Sequence, residues 1–417
     1  MKGLAGKSAI LLFSRLAARG VQVISFILLA RILSPAGFGA FGVLTAAVVL
    51  AGQIGNLGLR QAAAYQIGRG EITAGTAFGL LIGFWPLAAA CCAWAVVAFN
   101  AEALGILDAG HSQALILPLG VATAAYLLLV LLQGIFLGKG NIRAFALTDN
   151  GPRILQAAMI AILWVLGMLS IGSALWSYAL AFALLVPAAI FLARQGGDPI
   201  AFPVARLGTM IRYGALFAIS MFLINLQTRA GLFLVSGAEG NETAGNFLAA
   251  QRLNEIFLEI ATAIGLVIFS ESTKAADPKK AVHSAAKASS AMIWMFLVIA
   301  LAIWFTAEHL IPLLLGEQYT GAINAARVLA FSLVPSAIIK LMNGAIAGSG
   351  RPYFSAGVVS ISLVANVAIT FWLLALGYGP QAPAYAFLIA QTLGALCYLA
   401  LARILYGVPL TAFAWPR

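Results

Sequence analysis

Charged side chains inside long apolar stretches are the residues of this sequence whose types and spacing could do chemistry. They comprise six cations and three acids: Arg15, Arg19, Asp149, Arg153, Arg229, Arg252, Glu255, Glu259 and Lys340. An ionisable group at membrane depth costs at least about 2.5–3.5 kcal/mol, so such groups usually face a protein interior or a water-filled cavity. A surplus of three positive charges favours an anionic substrate.

The spacing of several of these charges places them on shared helix faces. Asp149 and Arg153 are four residues apart, and Arg252, Glu255 and Glu259 follow one another at intervals of three and four. Residues at these intervals are neighbours on a helix surface. They could therefore form intrahelical pairs that serve structure only, or they could line a binding site.

The remaining cations are Arg15, Arg19, Arg229 and Lys340. Arg15 and Arg19 share a helix face, with Arg19 near the middle of the membrane. Arg15, Lys340 and Arg229 could instead extend their side chains to the membrane surface. Arg19 is the residue for which a purely structural role is hardest to argue.

Uncharged polar residues in the same stretches could bind sugar hydroxyls or bridge helices. The candidates for sugar contact are Gln133, Asn225, Gln251 and Asn343, and further amides occur at Asn56, Gln227, Asn254, Asn366 and Gln391. The three histidines and three cysteines show no metal-ligand spacing. We therefore predict no metal site and no catalytic residues.

The elements that must position these residues are transmembrane helices. The chain of 417 residues is 62% hydrophobic and 9% charged, whereas a soluble domain carries about a quarter charged residues. A membrane-spanning helix needs about 20 mainly apolar residues. We predict an all-α integral membrane protein with about twelve spans, near residues 8–33, 37–59, 74–99, 113–137, 143–169, 171–193, 210–236, 244–270, 286–307, 323–347, 353–376 and 383–406.

The distribution of Lys and Arg between alternate loops predicts the orientation. One side collects sixteen of these residues, Arg60 among them, whereas the other has only Arg31 and Arg327. Because positively charged loops stay in the cytoplasm, both termini are predicted to be cytoplasmic. We expect a multi-pass protein of the cytoplasmic (inner) membrane.

Two related halves are indicated by short sequence matches at nearly constant offsets. Residues 133–140 match 343–350 at an offset of 210, and residues 39–41 match 245–247 at 206. Any one of the glycines involved could be a helix C-cap, but recurrence at both places favours duplication. We predict an N-terminal six-helix lobe over residues 1–197 and a C-terminal six-helix lobe over residues 198–417.

Three stretches of the sequence carry a family resemblance. They read RILSPAGFGAF at 31–41, AGNFLAAQRL at 244–253 and LGEQYTGA at 315–322. They resemble the first periplasmic turn, the start of the eighth span and the turn before the tenth span in the polysaccharide-transporter branch of the multidrug/oligosaccharidyl-lipid/polysaccharide (MOP) exporter superfamily, which includes the O-unit flippases. Members of that family often run somewhat longer than this chain.

The resemblance implies a MATE-like, V-shaped bundle of two lobes around a cationic cavity that opens alternately to either side. It also implies a substrate in which a polyprenyl carrier is joined by diphosphate to an O-antigen, capsule or exopolysaccharide repeat unit. We expect the binding cations to be Arg15, Arg19, Arg153, Arg229, Arg252 and Lys340. We expect Asp149, Glu255 and Glu259 to balance these charges or to couple ions.

The functional expectation is therefore a flippase of lipid-linked oligosaccharide, with no cofactor beyond coupling to an H⁺ or Na⁺ gradient. Its expected partners are this substrate, membrane lipids and polysaccharide polymerase or assembly proteins, but not nucleic acid. A drug or organic-cation antiporter of the same superfamily is the alternative, although it would need acids without cationic neighbours. A membrane glycosyltransferase, polymerase or ligase is the alternative from another class, and the sequence offers no large external loop for it.

Overall fold

The computed structural model describes residues 19–99, 109–272, 277–349 and 351–414, and this part of the chain is helical without a β-strand. Its α-helices are α1 (19–32), α2 (Pro35–Gly55), α3 (Leu59–Gly68), α4 (Ala74–Phe99), α5 (Ala109–Gly138), α6 (Ile142–Val165), α7 (Ile171–Ala183), α8 (Val186–Arg194), α9 (Val204–Ser272), α10 (Pro278–Leu315), α11 (Ala322–Gly348), α12 (Pro352–Ala375) and α13 (Ala382–Tyr406). Short 3₁₀ turns occupy Glu317–Tyr319, Gly379–Gln381 and Leu410–Phe413.

From residue 19 onward, described helices lie in each of the twelve predicted spans, and the part of the first span (8–33) before residue 19 lies outside the described residues. In the described residues eight helices are long and apolar enough to cross a membrane, and nine are if the bent helix α9 is counted. Helix α6 and the second half of α9 also occupy predicted spans, and they carry the charged candidate residues. The sixth predicted span is divided into α7 and α8, which break just before Pro187 at the start of α8. The predicted all-α membrane architecture is confirmed.

Helix α9 contains two predicted spans that join at Gly240. This residue is non-helical, with φ 83° and ψ 179°, a conformation that residues with a β-carbon avoid. The side-chain Nε2 of Gln251 donates a hydrogen bond to the carbonyl of Thr228 at 2.6 Å. The segments before and after Gly240 therefore pack side by side, and the chain reverses its direction at this glycine.

The chain divides into two compact units. Unit 1 contains the described residues up to Leu33 and then Ala40–Asn225, and unit 2 contains Ser34–Gly39 and Leu226–Arg417. The chain leaves unit 1 for unit 2 within helix α9. The core of unit 1 includes Leu80, Leu131 and Phe136. The core of unit 2 includes Phe296, Leu333 and Tyr398.

The glycines that recur at an offset of 210 residues lie where helices cross. In unit 1 a β-carbon on Gly134 would lie 2.5 Å from the carbonyl oxygen of Arg60. In unit 2 a β-carbon on Gly344 would overlap the carbonyl oxygen of Gly265. Both glycines lie inside their helices, α5 and α11, and so are not caps. They allow two helix backbones to approach closely, as small residues commonly do in membranes.

The linker between α8 and α9 lies in a groove on helix α4. The groove is opened by Gly75 and Gly79, one helical turn apart. A β-carbon on Gly75 would overlap the carbonyl oxygen of Pro199, and one on Gly79 would overlap that of Ala201. Backbone contacts therefore hold the linker on unit 1.

The first residues of α2 belong to unit 2 and pack against other residues of that unit. A β-carbon on Gly39 would overlap the carbonyl oxygen of Asn241. The ring of Phe38 meets that of Tyr319 edge to face, with centroids 6.0 Å apart, and Gly321 packs on Asn246. Residues 34–39 of the first stretch that carries the family resemblance thus meet the other two stretches within unit 2.

Candidate functional site

The turn between α2 and α3 directs Arg60 toward helix α5. Leu57 (φ 46°) and Gly58 (φ 72°) adopt left-handed conformations that interrupt the helix. The Oδ1 of Asn56 accepts a hydrogen bond from the backbone N–H of Arg60 at 3.0 Å, which satisfies a donor in the first turn of α3. The Nη1 of Arg60 then donates to Oε1 of the buried Gln133 at 3.3 Å.

Tyr126 on α5 is the centre of a polar cluster in unit 1. Its hydroxyl accepts a hydrogen bond from Nε2 of Gln53 at 3.1 Å. Arg60, Asp149 and Arg153 lie close enough to this hydroxyl to act on it electrostatically. The structure therefore brings the predicted residues of α6 together with polar residues of α2, α3 and α5. We call Gln53, Arg60, Tyr126, Gln133, Asp149 and Arg153 the unit 1 cluster.

Arg60 is the member of this cluster that sequence reasoning missed, because its position just after the second predicted span sorted it with the cytoplasmic loops. A signal for its position is present in the sequence. Gln53, Asn56 and Arg60 follow at intervals of three and four residues, which is the spacing of one helix face. The extra helix α3 continues the polar face of α2 past the turn, and so places Arg60 beside Gln133.

Arg19 begins the described part of α1. Its Nη1 donates a hydrogen bond to Oε1 of Gln22 at 3.3 Å, three residues later on the same helix. Arg15 lies outside the described residues. The proposed pairing of Arg15 and Arg19 on one face therefore remains a prediction.

A carboxylate shared by two arginines forms the charged site of unit 2. The Oε2 of Glu255 lies 2.8 Å from Nη1 of Arg252, and its Oε1 lies 3.9 Å from Nη1 of Arg229. The side chains of Arg229 and Glu255 are each 18% exposed and that of Arg252 is 29% exposed, so the site is shielded but reachable. The residue spacing predicted the Arg252–Glu255 pair, and the reversal at Gly240 adds Arg229. We call these three residues the unit 2 cluster.

Glu255 also forms part of the wall of a cavity lined by amide side chains. The cavity has an empty volume of about 370 Å³, including the part open to solvent. Its amides are Gln227, Gln251, Asn254 and Asn366, which are all more than nine-tenths buried.

The amide nitrogens of three of these residues are bonded within the protein. Gln251 donates to the carbonyl of Thr228 (2.6 Å), Asn254 donates to Oγ of Ser332 (3.2 Å) and Asn366 donates to the carbonyl of Gln227 (3.3 Å). Their side-chain oxygens have no hydrogen-bond partner in the described part of the chain, and neither does either side-chain atom of Gln227. The cavity is therefore lined by residues whose buried acceptor oxygens have no partner in the described part of the chain.

Four predicted site residues lie outside these clusters. Lys340 is exposed on α11, and nearby Asn343 accepts a hydrogen bond from the Tyr398 hydroxyl at 3.1 Å. Asn225 donates to the carbonyl of Met221 on its own helix at 2.7 Å. Glu259 is half-buried one turn after Glu255. The roles suggested for these residues remain predictions.

Metal-binding side chains do not cluster in the described ranges. Among residues 19–99, 109–272, 277–349 and 351–414, no three His, Cys, Asp or Glu side chains come close enough to hold a metal ion. The chemistry that the described geometry offers is instead the binding of anions by arginine and of small polar species by amides.

The fold is similar to those of several solved transporters. Lipid II flippase MurJ, in an inward closed conformation, matches with a TM-score of 0.80 and 14% identity over 97% of this chain and 89% of that chain. An inward-facing multidrug resistance MATE family transporter matches with a TM-score of 0.71 and 15% identity over 93% and 94% of the two chains. A MOP superfamily transporter from Pyrococcus furiosus matches with a TM-score of 0.68 and 15% identity over 96% and 95%.

The sequence itself matches a protein family over most of its length. No curated protein sequence matches. The family model described as "Polysaccharide biosynthesis protein" matches residues 4–270, which is more than half of the chain. The solved structures that share the fold are those of membrane transporters and a flippase. The chain therefore belongs to the polysaccharide biosynthesis protein family of the MOP exporter superfamily.

Proposed function

We propose that this multi-pass membrane protein is a flippase that moves a polyprenyl-diphosphate-linked oligosaccharide across the cytoplasmic membrane by alternating access. The observation that carries the proposal is that each unit holds two arginines in a polar cluster within an apolar helical bundle. Arg60 and Arg153 act electrostatically on Tyr126 in unit 1, and Arg229 and Arg252 share Glu255 in unit 2.

Arginine suits a diphosphate for a physical reason. Its guanidinium is permanently charged, is less strongly hydrated than an ammonium, and donates hydrogen bonds in a geometry that matches phosphate oxygens. Charged groups in an apolar bundle are unfavourable unless they are compensated. A diphosphate can offset the charge of several arginines during passage, and a neutral substrate cannot.

The oligosaccharide would be bound by amide side chains. Gln251 lines the cavity of unit 2, and its side-chain oxygen has no hydrogen-bond partner in the described part of the chain. Gln133 lies beside Arg60. These two residues, with Asn225 and Asn343, are our candidates for sugar contact. The identity of the glycan would depend on such amides, because hydroxyl groups are distinguished by hydrogen bonds rather than by charge.

Coupling to an H⁺ or Na⁺ gradient would involve the acids Asp149, Glu255 and Glu259. The support for this part of the proposal is the cavity beside Glu255, because carboxylate and amide oxygens are suitable ligands for a hard cation. Sodium-dependent export that is lost in Asn366→Leu but not in Thr370→Val would support the coupling. Equal sodium dependence in both variants would exclude this cavity as the ion site.

The proposed location is the inner membrane with both termini in the cytoplasm, which follows from the concentration of Lys and Arg on one side. The proposed partners are the lipid-linked substrate, membrane lipids and a polysaccharide polymerase or other assembly proteins.

The proposed topology can be tested by labelling. Cysteines introduced into the loops at Lys139 and Gly379 would be labelled by a membrane-impermeant reagent from opposite sides. Labelling of both from the same side would contradict this topology.

A drug or organic-cation antiporter is the second candidate function. The oxygen-rich cavity with Glu255 in its wall favours it, because this surface attracts cations. Efflux of an organic cation that depends on a cation gradient, in a deletion strain with unchanged glycan export, would establish the antiporter and exclude the flippase.

The decisive experiment for the flippase is deletion of the gene followed by complementation. Without the protein, the lipid-linked oligosaccharide should accumulate in the cytoplasmic leaflet, and the wild type should clear it. Arg19→Ala and Arg252→Ala should fail to clear it although both insert normally. Arg327→Ala is the matched control, because Arg327 instead donates hydrogen bonds to the carboxylate of Glu308 and the carbonyl of Trp304. Full export by both Arg19→Ala and Arg252→Ala would contradict the proposed cationic site.

A further inference from the structure

Glu255 lies against both arginines of the unit 2 cluster through separate oxygens. Its Oε2 forms a close ion pair with Arg252 at 2.8 Å, and its Oε1 lies at 3.9 Å from Arg229. The two guanidinium groups belong to the opposite segments of α9 that pack side by side around Gly240. One carboxylate therefore joins the segments and partly neutralises the pair.

A carboxylate and a phosphate present the same kind of acceptor oxygens to a guanidinium. Glu255 is attached to the protein, so it has a high effective concentration at the arginines and competes with any anionic ligand. A ligand carrying more negative charge can still replace it, because two arginines hold a diphosphate more strongly than a single carboxylate. The arrangement favours an exchange of anions over simple addition of one.

The adjoining cavity offers a second position for the displaced carboxylate. Gln227 lines the same cavity as Glu255. Its Nε2 is a buried donor with no hydrogen-bond partner within the described ranges. A buried donor without a partner is unfavourable. A carboxylate that accepted a hydrogen bond from it would therefore regain part of the interaction free energy that it loses by leaving the arginines.

We infer that Glu255 is a placeholder carboxylate, which pairs with Arg229 and Arg252 until the phosphate of an anionic substrate replaces it. The displaced carboxylate of Glu255 then turns toward Gln227. This inference rests on the proposed function, since it assigns the arginine pair to a diphosphate. It makes Glu255 a specificity-determining residue. A ligand with too little charge to displace it would be rejected, although the arginines themselves would accept any anion.

The test is binding of farnesyl diphosphate to the purified full-length protein in detergent, with farnesol as the uncharged control. Glu255→Gln removes the competing charge with almost no change in shape, so it should bind the diphosphate about tenfold more tightly than the wild type. Gln227→Leu removes the second position of the carboxylate, so it should bind less tightly. Glu308→Gln removes the same charge from the exposed pair with Arg327, and its affinity should be unchanged.

The outcomes separate this inference from the proposed function. If the wild type binds farnesyl diphosphate no better than farnesol and Glu255→Gln does not improve it, both the diphosphate site and the placeholder are excluded. If the wild type prefers the diphosphate and Arg252→Ala loses that preference, but Glu255→Gln binds no more tightly, the placeholder alone is excluded. Glu255 would then be a residue that only positions the arginines. The double variant Arg252→Gln/Glu255→Gln keeps the net charge and should not bind, which checks that tighter binding requires the arginine.

Discussion

Gly245 packs directly on the backbone of Pro35, at a distance where a β-carbon would overlap the carbonyl oxygen. Gly39 lies against Asn241 in the same way. The offset of 206 residues that relates Gly39 to Gly245 also relates Pro35 to Asn241. The two contacts are therefore images of each other under the internal repeat, and both lie within unit 2.

Enlarging Gly245 should destabilise unit 2. Gly245→Val forces a side chain into the space held by the Pro35 carbonyl, and overpacking of this kind typically costs about 1–3 kcal/mol. The measurement is the thermal unfolding temperature of the purified protein in detergent. Gly237→Val is the matched control, because Gly237 has open space around its α-carbon on the same helix. Equal loss of stability in both variants would show that the close contact is unimportant.

Arg60 should be as important for export as the arginines found by sequence reasoning. Arg60→Ala removes the guanidinium that donates to Gln133 and acts electrostatically on Tyr126. Because a hydrogen bond to a charged group contributes about 1.5–3 kcal/mol, we expect export to fall at least about tenfold. The measurement is the rate at which lipid-linked oligosaccharide is cleared in the deletion strain.

The control for Arg60 is Arg69→Ala, one residue past the end of the same helix. Arg69 is exposed, and its ion pair with Glu71 lies on the surface. Exposed pairs of this type contribute little, so this variant should export normally. A normal rate for Arg60→Ala would remove Arg60 from the site.

Filling the groove of α4 should release the linker. Gly79→Val places a side chain where the carbonyl of Ala201 lies. We expect trypsin to cut the variant faster at Arg194 and Arg206, on either side of the linker, as seen by the appearance of two fragments. Gly120→Val is the control, because Gly120 has open space around its α-carbon on α5. Unchanged cleavage of Gly79→Val would mean that the linker is held by other contacts.

Stability should fall at alkaline pH because of Tyr319. Burial raises the pKa of this tyrosine, which lies in the turn between α10 and α11. An unfolded tyrosine loses its proton above about pH 10, whereas the folded one keeps it. The unfolded state therefore binds fewer protons, and the free energy of unfolding decreases as the pH rises above that value.

Tyr319→Phe keeps the ring against Phe38 but removes the ionisable group. Its unfolding temperature should decline less than that of the wild type between about pH 9 and pH 11. Tyr353→Phe is the control, because Tyr353 is 62% exposed and its removal should leave the decline unchanged. Parallel curves for the wild type and Tyr319→Phe would contradict the prediction.

Features that depend on a single helix could be predicted from the sequence. The span positions follow from apolar runs, and the ion pair of Arg252 with Glu255 follows from a spacing of three residues. The approach of Arg229 to the same carboxylate could not be predicted in this way. It requires the reversal at Gly240, and no local pattern specifies which residues face each other across it.

The sequence does not predict which residues of separate helices come together in the structure. Gln227, Gln251, Asn254 and Asn366 are recognisable in the sequence as polar residues within spans. The cavity, however, is lined by residues of α11, α12 and α13 together with both segments of α9. The hydropathy pattern predicts a loop at Arg60, because it does not distinguish a helix that ends from one that turns and continues. The repeated glycines favour duplication, but their spacing does not predict that Gly134 and Gly344 lie against the backbones of other helices.

The contacts of the linker with Gly75 and Gly79 are made by carbonyl oxygens, which every type of residue carries. Substitutions at Pro199 and Ala201 preserve these oxygens, whereas any substitution at either glycine fills the space they occupy. The linker should therefore tolerate substitution at Pro199 and Ala201, whereas α4 should not tolerate it at Gly75 and Gly79. The linker can diverge in sequence at these two positions, whereas the two glycines on the helix surface beneath them have no acceptable alternative.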